Sequence, residues 1–216
     1  MQTRYHKEAE EAGIFVVGAC GFDSIPCDLG TLILQEKFPG ELAWVEAYVS
    51  TKVGPHGTKV NHGTWDSAAN ALHNWGSLKD IRENLYANFY EKETPHYRNR
   101  LRRRVIPFIP ENQSKLCIPF WDTDRDVVRR TQTYNYIHKK TRPVELMSYL
   151  VVGSWLVAIG MGFLGLIVLI LSQTKWGLNL LKEYPHIFSG GFFSKDGPSR
   201  EQVLGSSMEI LLVGKG

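Results

Sequence analysis

Features that define several protein classes are scarce or missing in this sequence. Only three cysteines, Cys20, Cys27 and Cys117, occur in 216 residues. Their odd number and wide spacing exclude a disulfide-stapled scaffold and fit a reducing compartment. The segment from Met1 to Glu11 is polar and lacks the apolar core of a secretory signal peptide. The composition, 43% hydrophobic and 22% charged, excludes a disordered chain.

The common nucleotide and metal motifs are also missing. No G-x-G-x-x-G follows a predicted strand, no P-loop occurs, and the Gly18–Gly21 turn is too short to supply the dinucleotide fingerprint. The histidines and cysteines do not follow the common zinc spacings. The acidic turn Asp122–Asp126 lacks the glycine and the final glutamate of a calcium loop. The sequence therefore predicts no metal site.

Charge of one sign is not in large excess, since the net charge is +3. The average conceals a basic stretch from Lys92 to Arg142, with 13 basic and 5 acidic residues and a net charge of +8. The arginine-rich cluster at Arg98–Arg104 has no interleaved aromatic residues on which bases could stack. These features predict no nucleic-acid partner, and they favour a basic surface near phospholipid or solvent.

The strongest signal present is an apolar run from Leu146 to Thr174. Its 29 positions contain no charged residue, and about 20 apolar residues suffice to cross a bilayer as a helix. Tyr149 and Trp176 flank the run, and aromatic rings of this kind prefer the membrane interface. The run predicts a membrane segment.

Two membrane geometries remain open for this run. A single tilted span fits its length, but it would place the C-terminal segment across the membrane from the rest of the fold. A helical hairpin with its bend at Gly160, Gly162 and Gly165 avoids this, although backbone groups at the bend then need partners inside hydrocarbon. A third alternative is an apolar helical hairpin buried in a soluble homo-oligomer.

The flanks of the run predict an orientation. Basic residues are more frequent before the run than after it, which places the N-terminal side and the bulk of the chain in the cytosol. These residues are predicted to meet the anionic membrane surface. The segment that follows, 176–193, mixes tryptophan, leucine and phenylalanine with few charges, which is typical of an interfacial segment. The predicted membrane-surface residues are Arg129, Arg130, Lys139, Lys140 and Arg142.

Local patterns predict an alternation of helices and strands, and hence a mixed α/β (α+β) fold. One helix is expected to begin near a cap at Asp23 or Ser24 and to end near Phe38, and another to begin at a Thr64 cap. Further helices are predicted over Tyr5–Ala12 and Leu78–Phe89. Strands are predicted over Ile14–Val17, Leu42–Val53, Leu116–Trp121, Asp126–Tyr136 and Met208–Val213.

Five segments occur in the same order as in a known enzyme family. They are GFDSIPCDLG (Gly21–Gly30), HGTWDSA (His62–Ala68), VVRRTQ (Val127–Gln132), the apolar run, and FFSKDGPS (Phe192–Ser199). On these segments the chain resembles the saccharopine dehydrogenase-like oxidoreductases, in the eukaryotic branch associated with membranes and lipid droplets.

The resemblance implies a division of the chain into four parts. Residues 1–40 would be the C-terminal remnant of a Rossmann dinucleotide-binding domain, and 41–145 a mixed sheet-and-helix second domain. Residues 146–174 would be the membrane segment, as one long helix or a helical hairpin, and 175–216 an interfacial segment with a returning strand. The chain would then be a C-terminal fragment, whose possible partners include the absent Rossmann portion.

The resemblance also implies a cofactor and a site. Full-length relatives bind NAD(P), whereas no cofactor is expected to bind this fragment, because the G-x-G-x-x-G turn is absent. The residues expected near the cofactor or substrate are Gly21, Phe22, Asp23, Ser24 and Pro26, with His62, Gly63 and Thr64 on an opposing wall. No catalytic residue is assigned.

Two functions follow as expectations. The first is the membrane-associated part of an NAD(P)-dependent oxidoreductase that acts on a lipid or glycolipid precursor. The alternative is a non-catalytic lipid-droplet or membrane protein with an interaction role. The expected location is a lipid droplet, the endoplasmic reticulum or another intracellular membrane, with the mitochondrion and the plasma membrane left open.

Overall fold

A computed structural model describes residues 2–22, 24–89, 96–97, 101–102, 104–120 and 124–216. The helices in these segments are α1 (Gln2–Glu11), α2 (Ile25–Lys37), α3 (His62–His73), α4 (Trp75–Phe89), α5 (Asp124–Lys139), α6 (Trp155–Ser172), α7 (Lys175–Glu183), α8 (Pro185–Phe188) and α9 (Arg200–Gly205). The strands are β1 (Trp44–Lys52), β2 (Val60–Asn61), β3 (Leu116–Pro119), β4 (Glu145–Val152), β5 (Phe193–Ser194) and β6 (Ser207–Lys215).

The fold is built on a mixed four-stranded sheet with the order β3-β4-β1-β6. The two central strands run parallel, with Val45 opposite Leu146 and Tyr48 opposite Tyr149. Both outer strands are antiparallel to their neighbours. The strands β2 and β5 form a separate parallel pair. The predicted mixed α/β class is therefore confirmed.

The strands alternate their side chains between two buried faces. Val45 and Leu146 face α2 and α5, where they pack with Cys27, Val128 and Ile210. The opposite face carries Tyr48, Tyr149, Met147 and Cys117, which pack with Leu101 and Phe108. Period-two alternation of this kind matches a sheet covered on both sides.

Several of the predicted elements are confirmed. The α1 helix ends at Gly13, which has a φ of 63° and donates to the Glu10 carbonyl, while Ile14 donates to Ala9. This pair of hydrogen bonds is a Schellman motif. The strands β1, β3 and β6 and the helices α2 and α4 lie within one to three residues of their predicted bounds.

The predicted strand over Asp126–Tyr136 is wrong, because these residues lie in α5. Its β-branched and aromatic residues suggested a strand, but its acidic residues occupy the first helical turn and His138 and Lys139 the last. Both placements favour a helix through its dipole. The buried positions Val128, Gln132 and Asn135 follow helical spacing, and the polar character of two of them hid that period from the sequence analysis.

Two smaller predictions are also wrong. Ile14–Val17 is exposed and is not a strand, since no neighbour in the described part of the chain pairs with it. The cap of α3 is Asn61, not Thr64, because the Asn61 side-chain oxygen accepts from the Gly63 backbone N–H at 2.9 Å. Asparagine is among the strongest N-cap residues.

The apolar run is not one membrane segment. Its first residues, through Val152, form the central strand β4, and the apolar helix α6 begins only at Trp155. Tyr149, predicted to lie at a membrane interface, is buried in the sheet. The bend that the hairpin alternative places at Gly160, Gly162 and Gly165 does not occur, because α6 is continuous through them. A strand buried on both faces and a membrane helix have the same uncharged composition, so hydropathy did not separate them.

Candidate functional site

The motif at Gly21–Gly30 forms the entry to α2. Asp23 lies outside the described residues. The Ser24 backbone N–H donates to the Gly21 carbonyl at 3.2 Å, and Ser24 is buried. Pro26 lies in the first helical turn, where its missing N–H leaves no hydrogen bond broken. Gly21 and Phe22 remain exposed at the surface.

Polar side chains join α2 to α5 behind this entry. The Cys27 thiol donates to the Asp124 carboxylate, with 3.2 Å between Sγ and Oδ2. Thr131 donates to Asp28, and Gln35 and Gln132 exchange hydrogen bonds along the same interface. Cys27 and Asp124 are 0% and 3% exposed. Because this pair does not face solvent, it positions the start of α2 and does not present a nucleophile.

The half-buried Asp28 makes this interface sensitive to pH. Burial raises the pKa of the Asp28 carboxyl above its ordinary value, and the Thr131 hydrogen bond opposes the shift. The folded state therefore holds the proton more tightly than the unfolded chain. The Asp28 carboxyl therefore contributes to the stability of the fold when the pH is below its unfolded-state pKa. This contribution is lost as the pH rises through its folded-state pKa. We expect Asp28→Asn, which keeps an acceptor for Thr131, to raise the melting temperature at pH 7.

Thermal unfolding at pH 3 and pH 7 checks this prediction. The difference between Asp28→Asn and the native chain should shrink toward pH 3. Asp80→Asn, on α4, is the matched control and should leave the pH dependence unchanged. A destabilised Asp28→Asn protein at pH 7 would contradict the prediction.

An apolar surface lies on the outer side of this entry. Phe15 is 97% exposed, and the rest of the Ile14–Val17 segment is exposed with it. On α2, Ile25, Leu29 and Ile33 recur every four residues on the exposed face. A helix with apolar residues on both faces normally has both faces covered. We call this set, with Phe22, the α2 outer surface.

The second predicted group lies in a different part of the fold. His62, Gly63 and Thr64 are the first three residues of α3. The β2–β5 pairing brings this motif to the Phe192–Ser199 motif, since Val60 lies opposite Phe193 and Asn61 opposite Ser194. The Trp65 and Phe193 rings are 5.3 Å apart. Two of the five segments that carry the resemblance are thus neighbours.

An open groove of about 590 Å³ adjoins this second group. His62, Gly63 and Thr64 are not among its lining residues. Its charges are mixed, and a backbone hydrogen bond at Glu201, together with the Ser199 hydroxyl, lowers the pKa of the Glu201 carboxyl. It is lined by His56, Lys59, Asp196, Gly197, Pro198, Ser199, Glu201 and Gln202.

The two predicted groups pack against different elements. The helix α2 packs on α5 and β6, whereas α3 packs on α6, α7 and the β2–β5 pair. No hydrogen bond or ring contact within the described segments joins the Gly21–Pro26 group to the His62–Thr64 group. Their role as two walls of one site stays a prediction.

The predicted membrane-surface residues lie on and just after α5. Arg129 lies over the Tyr86 ring, Arg130 donates to Gln2, and Arg142 pairs with Glu41. Lys139 is the last residue of α5, and Lys140 follows it in the short connection to the start of β4, whereas α6 follows the opposite end of that strand. The eight residues of β4 separate the two ends by about 25 Å. Their contact with a membrane stays a prediction.

The sequence analysis missed a buried polar cluster on the second face of the sheet. Glu46 is buried, and the Tyr48 hydroxyl donates to it at 3.0 Å. Burial and the Glu46 charge raise the pKa of Tyr48, and burial raises the pKa of the Cys117 thiol to about 11. Both groups are therefore protonated at neutral pH. An acidic residue within the apolar β1 pattern was the signal that could have pointed to the cluster.

Comparison with known proteins identifies the family. Over all 216 residues the chain is 35% identical to the saccharopine dehydrogenase-like oxidoreductase of Rattus norvegicus and covers 49% of that protein. The chain belongs to the saccharopine dehydrogenase-like family. A lipid droplet localized protein of Caenorhabditis elegans is 30% identical over 224 residues, with all of this chain and 51% of that protein covered.

A third relative is a probable mitochondrial saccharopine dehydrogenase-like oxidoreductase of Arabidopsis thaliana. It is 29% identical over 251 residues, which cover all of this chain and 52% of that protein. No family model matches the sequence, and no solved structure matches it. The chain spans about half the length of the curated relatives it matches.

The saccharopine dehydrogenase-like family implies a dinucleotide cofactor, and binding of that cofactor requires particular residues at a helix N-terminus. A pyrophosphate needs free backbone N–H groups at a helix N-terminus after a glycine-rich turn. The α2 N-terminus instead carries Pro26 and the half-buried Asp28, and the first turn of α5 carries Asp124 and Asp126. Acidic first turns repel phosphate, so these helix ends do not fit the group.

The described residues contain no cluster of three or more histidine, cysteine or acidic side chains that could hold a metal ion. Asp124 and Thr131, which hydrogen-bond Cys27 and Asp28 of α2, were not among the predicted site residues. Helical spacing of Asp124, Val128 and Thr131 on one face could have revealed them, had α5 been recognised as a helix.

Proposed function

We propose that this chain is the membrane-binding part of a saccharopine dehydrogenase-like oxidoreductase on an intracellular lipid surface, where the whole protein reduces or oxidises a lipid-soluble precursor with NAD(P). The observation that carries this proposal is the exposed apolar helix α6. Its 18 residues include no charged side chain and have a mean hydropathy of 2.5, yet only 17% of them are buried within the fold.

The exposure of its side chains distinguishes α6 from an ordinary core helix. A soluble protein would cover so apolar a helix, whereas Leu156 is 82% exposed and Ile159 and Phe163 are similarly exposed. Contiguous exposed apolar surface of this kind marks a protein or membrane interaction site. Lipid as the partner is supported by the Caenorhabditis elegans relative, which is named for its location on lipid droplets.

The substrate class is inferred from the proposed location of the protein at a lipid surface. An enzyme held at a lipid surface meets substrates that partition into that phase, and a lipid or glycolipid precursor satisfies this condition. The relatives' names supply the oxidoreductase class and no substrate. The substrate class is therefore argued from α6 alone.

The α2 outer surface supports a second part of the proposal. Its exposed segment at Ile14–Val17 pairs with no strand in the described part of the chain and is available to a further strand, and its apolar helix face offers a packing surface. We propose that a nucleotide-binding domain, of the kind its longer relatives have room for, docks there. The partner that supplies NAD(P) would then adjoin the Gly21–Pro26 entry.

Cell fractionation tests the membrane part. The tagged 216-residue chain should float with lipid droplets and membranes, and the bulk of it should stay in the pellet after extraction at alkaline pH, which removes proteins held by charge alone. A peripheral protein bound through arginines would be released by that treatment. Complete recovery in the alkaline supernatant would refute the proposal.

The non-catalytic alternative is favoured by the acidic helix ends described above, and cofactor binding separates the two functions. Calorimetry with NADPH should show binding to a full-length protein of the family and none to the 216-residue chain. NADPH turnover by the 216-residue chain itself would exclude the non-catalytic alternative. A folded full-length protein that binds neither NADH nor NADPH would leave only that alternative.

A further inference from the structure

We infer that α6 lies within a single leaflet and does not cross the membrane, with acyl chains covering its exposed side. The inference rests on the membrane association proposed above and replaces both membrane geometries that the sequence left open. By length alone α6 could cross, since 18 residues extend about 27 Å and a bilayer core is about 30 Å thick. The connections at its two ends argue against crossing.

The N-terminal end of α6 is fixed to the sheet. It follows β4 after two residues, and β4 is a central strand held by β1 and β3. Ala158, in the first turn of α6, is buried against Leu116 and Val152 at the end of that sheet. This end of the helix therefore stays with the folded domain.

The C-terminal end is fixed to the same domain through α3. The His73 Nδ1 atom lies 2.6 Å from the carbonyl oxygen of Ser172, the last residue of α6. Val168 and Leu171 pack in one cluster with Trp65 and Leu181, and the Trp65 indole N–H donates to the Leu181 carbonyl at 2.8 Å. A helix docked to one domain at both ends cannot have those ends on opposite sides of a bilayer.

The chain after α6 also leaves no route back across a membrane. The helix α7 has nine residues and extends about 14 Å, which is half of a bilayer core. Yet β6 returns to the sheet and pairs with β1 from Trp44 to Lys52. Since β4 and β6 share the neighbour β1, the segments before and after α6 lie on the same side.

Five of the exposed residues of α6 form one stripe. Leu156, Ile159, Phe163, Leu166 and Ile170 recur at alternating spacings of three and four and are all exposed. The opposite side packs on the fold only near the two helix ends, through Ala158 at one and Val168 and Leu171 at the other. Between them Val157 and Met161 are 48% and 41% exposed. The fold therefore holds α6 near both ends, and the middle of the helix presents apolar surface on more than one side.

Lipid is the occupant that this stripe fits. A protein interface surrounds its apolar centre with a polar rim, whereas no position of α6 carries a charged side chain. Exposed Trp155 and Trp176 lie at its two ends, and Lys175 follows the helix. Tryptophan and lysine at the ends of an apolar helix are typical of a helix lying in a membrane interface.

Glycosylation of the chain in microsomes tests the single-leaflet placement. Asn112-Gln113-Ser114, in an exposed turn before α6, is a natural N-glycosylation acceptor. A second acceptor is added on a spacer after Gly216. A helix that does not cross leaves both acceptors on one side, so we expect neither to be modified.

The outcomes are unambiguous in both directions. Modification of one acceptor without the other would overturn the inference, whereas equal treatment of both supports it. A signal peptide fused before Met1 provides the positive control, because both acceptors should then be used. Asn112→Gln removes the first acceptor and identifies each product.

Binding to triolein droplets coated with a phosphatidylcholine monolayer is the second test, compared with bilayer vesicles of the same lipid. A single-leaflet helix should partition to the two surfaces within about threefold, because it needs no second leaflet. Binding to vesicles and not to droplets would overturn the inference and leave the proposed membrane association intact. Binding to neither would refute the proposed function itself. A soluble dimer that buries the stripe would overturn lipid as the occupant.

Discussion

Replacing Leu156, Ile159 and Phe163 together by Asp is expected to release the chain from membranes. These residues share the exposed stripe of α6, and burial of each in hydrocarbon contributes about 1.5–3 kcal/mol. Loss of roughly 5 kcal/mol corresponds to about four orders of magnitude in partitioning. The measurement is the fraction of the tagged chain that floats with droplets and membranes.

The three positions face outward, so the fold should survive their replacement. The matched control places the same charges on exposed apolar residues elsewhere, with Ile106→Asp, Val203→Asp and Leu204→Asp. The control should keep its membrane fraction, and both variants should give the circular dichroism spectrum of the native chain. A triple α6 variant that still floats would contradict the role of the stripe.

Replacing Gly177 by Ala is expected to destabilise the fold by about 2–4 kcal/mol. A Cβ atom on this buried glycine of α7 would collide with the backbone of Leu171, including its carbonyl, at the end of α6. Backbone atoms cannot turn away as a flexible side chain can, so α7 must shift from α3 and α6. We expect the melting temperature to fall by roughly 10 °C in detergent.

Gly162→Ala is the matched control for this change. Nothing lies within 4 Å of a Cβ atom at Gly162, and alanine is the better helix former by up to about 1 kcal/mol. The control should therefore be neutral or stabilised. Equal stabilities of the two alanine variants would show that α6 and α7 are not in close contact.

The elements that the sequence predicted correctly are those whose local pattern agrees with their tertiary environment. The strand β1 alternates between the two faces of the sheet and is rich in β-branched and aromatic residues. The helix α2 has proline in its first turn, and α1 ends at a glycine with positive φ. Local chemistry and burial indicate the same structure in each case.

The elements that the sequence analysis predicted wrongly are those whose structure depends on contacts between residues distant in sequence. The helix α5 buries Gln132 in a hydrogen bond with Gln35 of α2. Its buried face therefore contains polar residues, and the sequence alone does not show that they are buried. The segment Ile14–Val17 has strand composition, but a strand forms only beside another. The β4 strand is apolar because two layers cover it, and its composition alone could not distinguish that cover from lipid.

The same distinction between local patterns and long-range contacts applies to the candidate site. The motifs at Gly21–Gly30 and His62–Ala68 were found in the sequence, and the family they indicate is confirmed by relatives matching the whole chain. Their spatial relation was not predictable, because it depends on which helices cover each face of the sheet. The structure instead places His62–Ala68 beside Phe192–Ser199, because the strand just before His62, Val60–Asn61, pairs with Phe193–Ser194.

By itself the sequence determined the family, the mixed α/β class and the presence of an uncharged segment long enough for a membrane, because motif order and composition are properties of the chain alone. Only the tertiary structure decided where that segment divides into a buried strand and a helix, and that this helix is largely exposed. The physical reason is that burial is shared between partners distant in sequence. The pairing of β1 with both β4 and β6 fixes the ends around α6, and no local pattern encodes that pairing.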